Sequence, residues 1–107
     1  MKMEQVLAEA PKVLSQEQRE FYFENGYLLL ESFIQGDELK RLQDVTRSFI
    51  ERSRDLDASN DRFDLEPDHT ADAPRVRRLN MPYRQDPAYW DYASNSKITD
   101  VAQDLLG

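Results

Sequence analysis

The residues with the most evident chemical potential are Asp64, Glu66, Asp68 and His69: three carboxylates at alternate positions followed by the single histidine of the chain. Hard cations take oxygen ligands of this kind. A helix–loop–helix calcium site would also need glycine at its sixth position and glutamate at its twelfth. Counted from Asp64, those positions hold His69 and Arg75. A solvated acidic loop accounts for the same residues, so no metal ligand is assigned. Histidine is the usual general base near neutral pH, but no serine or cysteine nucleophile motif accompanies His69, and an exposed loop position is expected for it.

Arg75, Arg77, Arg78 and Arg84 form the basic cluster. Guanidinium groups grip carboxylates and phosphates through paired hydrogen bonds. Here they would either orient an anionic substrate at a pocket mouth or neutralise the acids just upstream, and the second role is the expectation. In a strand, Arg75 and Arg77 share one face while Val76 and Arg78 share the other, so at most two could aim at one ligand. Tyr83, Tyr89, Trp90 and Tyr92 gather around Pro87, where packing of a short helix is the expected role. Gly26 and Gly36 belong to no phosphate-binding pattern. No catalytic and no cofactor-binding residue is assigned.

Composition narrows the classes of function. The chain has 107 residues and a net charge of -7. Glu51 to Pro74 holds eight acids against three bases and so carries -5 of that charge. An acidic chain without a basic stripe is a poor match for nucleic acid, whose phosphates supply most non-specific affinity. It is equally a poor match for an anionic membrane surface. With no cysteine, disulfides, zinc–thiolate sites and a cysteine nucleophile are excluded. Glu4 and Glu9 interrupt the N-terminal apolar residues, so no signal peptide is read there. No stretch reaches transmembrane length, and the cytoplasm is the expected location.

These residues must be held by a short series of elements. Residues 1–13 read as a flexible tail. Ser15 with Gln18 forms a capping box, opening a helix that ends at Asn25-Gly26. Tyr27 to Leu30 is a short apolar run expected to form a buried strand. Gln35-Gly36-Asp37-Glu38 opens the longest helix, with Leu39, Leu42, Val45, Phe49 and Ile50 on its apolar face to about Ser53. Residues 55–74 are expected to be a long, mobile acidic loop with a brief extended piece at Phe63 and Leu65. Arg75 to Leu79 reads as a strand. Asp86-Pro87 opens a short helix, and Asn95 or Ser96 caps a last one with Ile98, Val101, Leu105 and Leu106 inward.

The order and spacing of Leu14-Ser15-Gln16-Glu17-Gln18, Gly26-Tyr27-Leu28-Leu29-Leu30, Arg75-Val76-Arg77-Arg78-Leu79, Trp90 and Leu105-Leu106-Gly107 resembles the N-terminal portion of the phytanoyl-CoA dioxygenase family. The resemblance runs from Leu14 to Gly107. It implies an α+β fold, mostly helical in this chain: the N-terminal helical part and first strand, at Tyr27, of a double-stranded β-helix, or jelly roll. It implies Fe(II) and 2-oxoglutarate as cofactors, hydroxylation of a small molecule, and a His-x-Asp…His iron triad. One histidine cannot supply two histidine ligands, so the catalytic residues are expected beyond Gly107 and this chain alone is expected to be inactive. Residues 14–107 would then be an incomplete piece of one oxygenase domain, whose remainder packs on the Leu39–Ile50 helix. Arg77, Arg78 and Tyr83 are the candidates for a substrate entrance. The alternative is a small non-catalytic helical module that binds a protein partner through the same helix face.

Overall fold

The computed structural model describes residues 2–107, with the elements α1 (Met3–Ala8), α2 (Gln16–Asn25), α3 (Gly36–Ser53), β1 (Phe63–Leu65), β2 (Val76–Leu79), α4 (Pro82–Gln85), α5 (Pro87–Asn95) and α6 (Lys97–Leu106). The fold is mixed, mostly helical, with one two-stranded sheet. It divides into two units, Met1–Phe33 with Asp91–Gly107, and Ile34–Trp90.

In the first unit, Ser15 is the N-cap of α2. Its Oγ accepts the Gln18 N–H at 3.1 Å, while Gln18 Oε1 accepts the Ser15 N–H at 2.9 Å. Two of the helix's orphan donors are thereby satisfied. Gly26 ends α2 at φ 82°, a left-handed value that favours glycine. Ser96 caps α6 by accepting the Ile98 N–H at 3.1 Å. The buried residues are Val6, Leu14, Arg19 and Asp104. The stretch expected to be a flexible tail therefore contains helix α1, and its Val6 is 2 % exposed. Arg19 holds it: Nη1 donates to Glu9 O at 2.7 Å, and Nη2 donates to Val6 O. A long-range polar anchor of this kind leaves no local signal in the sequence.

Tyr27 to Leu30 forms no strand. A strand needs a neighbour to take its backbone groups, and the one sheet among the described residues is formed by β1 and β2. Tyr27 and Leu29 are 62 % and 73 % exposed, while Leu28 and Leu30 are half-buried. Exposure thus alternates with the period of two of an extended chain.

The second unit is built on α3. Phe49 is buried there, with ring centroids 6.2 Å from both Phe63 and Tyr89. Tyr89 also shares a 2.8 Å hydrogen bond with Thr46. The apolar stripe of α3 is buried unevenly: Phe49 is covered, Leu42 and Val45 are half-buried, and Leu39 is exposed. β1 and β2 pair antiparallel, Phe63 with Leu79, Asp64 with Arg78 and Leu65 with Val76, with a bulge between Asp64 and Leu65. Asp86 Oδ1 accepts the Ala88 N–H at 2.9 Å, which fixes the first turn of α5 at Pro87.

Candidate functional site

The β1–β2 hairpin gathers most of the residues that the sequence marks as chemically capable. Pairing in antiparallel register places Asp64 opposite Arg78. Arg78 Nε lies 2.8 Å from Asp64 Oδ2. Arg77 makes a two-point contact with Glu66, Nε to Oε1 at 3.2 Å and Nη2 to Oε2 at 3.1 Å. Arg75 Nη1 donates to Asp68 Oδ2 at 2.6 Å, just past the strand ends. The hydrogen bond from Arg77 holds the Glu66 carboxyl below its ordinary value, against some desolvation, and the same bond raises Arg77. The arginines thus take the neutralising role.

His69 is fixed on both sides. Its Nδ1 accepts the Arg75 N–H at 2.8 Å, so Nε2 carries the proton and donates to Ser53 O at 2.9 Å. The ring is half-buried and clasps the C-terminal end of α3 to the start of β2. This is a structural post where an exposed loop histidine was expected. The expected loop has other anchors too. Asn60 Oδ1 accepts the N–H groups of Arg62 and Phe63, both at 2.9 Å, and Arg54 Nη1 donates to Ala71 O at 2.6 Å. Residues 55–74 therefore hold the expected extended piece, as β1 (Phe63–Leu65), and a set of polar ties that an apolar count overlooks.

These residues do not fit an iron centre of the two-histidine, one-carboxylate type. The single histidine has both ring nitrogens engaged, and the three nearby carboxylates each face an arginine. Among the described residues, no group of three or more histidines and acids is placed to hold a metal ion. Tyr83, the third entrance candidate, sits on α4 and is 45 % exposed, its ring 6.3 Å from Trp90 and stacked with Arg84 at 5.7 Å. Trp90 is itself 55 % exposed, so of the expected aromatic cluster Tyr89 does the packing in this unit.

Sequence reasoning missed the buried pair Arg19 and Asp104 in the first unit. Asp104 was legible in part, because it interrupts the apolar stripe of Ile98, Val101 and Leu105 on α6. A carboxylate in such a stripe is expected to find donors. Arg19 carried no comparable signal.

In an alignment of 99 positions that covers 89% of its length, the chain is 27% identical to a Caenorhabditis elegans protein named "Probable phytanoyl-CoA dioxygenase". The chain spans about a third of that relative, 31%. No family profile matches it, and no solved structure matches it. Among the described residues, no helix is long and apolar enough to cross a membrane.

Proposed function

We propose that this chain is the N-terminal segment of an Fe(II)- and 2-oxoglutarate-dependent dioxygenase that hydroxylates a small molecule in the cytoplasm. The observation that carries the reading is its similarity, along nearly its whole length, to 31% of a protein named as a dioxygenase. Residues following Gly107 would hold the iron, since those of this chain do not fit it, and 2-oxoglutarate beside it. No step of the reaction falls to the side chains described above.

The role left to the chain is scaffolding. The alternating exposure of Tyr27–Leu30 and the neighbouring exposed Phe21 leave an apolar edge of the kind that a further strand covers. We propose that this edge joins the larger sheet of a jelly roll, and that the half-buried part of the Leu39–Ile50 face receives the remainder of the same domain. The hairpin carrying Arg77 and Arg78, with Tyr83 after it, would stand at the rim of the substrate entrance. The test is a product assay on the polypeptide that includes the residues after Gly107: Fe(II)-dependent formation of succinate from 2-oxoglutarate. In that enzyme, Arg77→Gln or Arg78→Gln should change substrate use more than uncoupled turnover. Equal loss of both would assign the two arginines to structure alone.

A further inference from the structure

A second set of polar side chains stands at the open end of the hairpin. Asp61 and Arg62 lead into β1, Asn80 and Met81 leave β2, Arg84 and Gln85 belong to α4, and together they line an open cleft. Its walls are tied to one another. The Asn80 N–H donates to Arg62 O at 2.8 Å, Asn80 Nδ2 donates to Asp61 O at 3.3 Å, and Gln85 Nε2 donates to Asn80 O at 3.1 Å. These bonds use the backbone carbonyls of the cleft and leave its guanidinium groups available.

The arginines of this unit differ in how they are employed. Arg75, Arg77 and Arg78 each face a carboxylate. Arg62 and Arg84 have no ion pair among the described residues, and Arg84 rests on the ring of Tyr83. Asp61 is the single carboxylate among the lining residues, so the cleft is net positive. A second observation comes from the backbone. Met81 has φ 46°, in the left-handed region, although it is not glycine and its side chain is 55 % exposed. No burial of that side chain repays the strain, and strain of this kind gathers where a ligand is held. Met81 is the N-cap of α4, so this turn sets the direction of the helix whose Arg84 lines the same cleft as Arg62.

The geometry points to a binding site for an oxyanion with two acceptor oxygens, a carboxylate or a phosphate monoester, held between Arg62 and Arg84. Guanidinium groups suit such ligands because their donors match two oxygens at once. The site goes beyond the oxygenase reading, because it needs neither iron nor any residue after Gly107.

The test uses the 107-residue chain at fixed ionic strength. Inorganic phosphate and, separately, acetate are titrated while backbone amides and arginine Nε–H resonances are followed by NMR. The expected result is saturable shifts confined to Arg62, Asn80, Met81, Arg84 and Gln85. Loss of one charge-assisted partner should weaken binding about 10-fold or more in Arg62→Gln and in Arg84→Gln, and Arg75→Gln should leave it unchanged. Both substituted side chains are exposed, so the variants should keep the parent spectrum elsewhere. Saturation by phosphate alone assigns a phosphate ester; saturation by acetate assigns a carboxylate. No saturation with either anion, or shifts spread equally over Arg75, Arg77 and Arg78, would overturn the site.

Discussion

Arg19 and Asp104 are each buried, and each satisfies its charge largely on backbone groups. Arg19 Nε donates to Asp104 O at 2.9 Å, and the Asp104 carboxylate accepts the N–H groups of Lys12, Val13 and Leu14 at 2.6, 2.8 and 2.9 Å. Through this cross-link α6 is tied to the strap that precedes α2.

Asp104→Asn should destabilise the chain by about 2–4 kcal/mol, since the amide sets a donor against donors in a buried site. Urea unfolding measures the cost. The pH dependence has a fixed sign. Burial opposes ionisation of Asp104, but the three backbone donors and the Arg19 charge outweigh it, and the carboxyl lies below its ordinary value. Its contribution is therefore complete above the unfolded-state value of about 3.9 and is lost as pH falls through the lower folded value. The gap between parent and Asp104→Asn should be constant near neutrality and narrow in acid. A gap that widens in acid would contradict the hydrogen-bond assignment.

Phe49→Ala should cost roughly 3–5 kcal/mol, as large-to-small changes in a packed core do. Leu42→Ala should cost less, because Leu42 is half-buried. Equal costs at the two positions would mean that the apolar face of α3 is phased differently.

His69→Ala should loosen the hairpin by removing both the bond to Ser53 O and the acceptor for the Arg75 N–H. A loss of about 1–2 kcal/mol is expected, with faster proteolytic cleavage between residues 55 and 74. Unchanged cleavage would show that the Asn60 and Arg54 ties suffice alone.

The ion pairs of the hairpin are exposed and should add little. Arg77→Gln should shift the urea midpoint slightly, and a double-mutant cycle with Glu66→Gln should show coupling that fades as salt is added. Coupling that persists at high salt would indicate a pair shielded from solvent.

Much of this architecture was legible because local chemistry dictated it. Ser15 with Gln18, Gly26, Asp86-Pro87 and Ser96 set helix ends through capping bonds made within a few residues. Where contacts were long-range the sequence did not name the partners. Asp104 reaches Lys12, Val13 and Leu14 across most of the chain, and His69 reaches back to Ser53. The apolar run at Tyr27 misled for a different reason: its composition favours a strand, but the sheet among the described residues is made by β1 and β2 and leaves it no partner. At the hairpin the arginine–acid neutralisation was foreseeable from charge order, whereas the distinct position of Arg62 and Arg84 depended on the turn at Met81.

The most direct test of the dioxygenase reading is succinate formation from 2-oxoglutarate by the longest polypeptide encoded with this chain, with residues 1–107 alone as the comparison. The account predicts Fe(II)-dependent succinate from the longer protein and none from residues 1–107. Absence of Fe(II)-dependent succinate from the longer protein, or its formation by residues 1–107 alone, would contradict it.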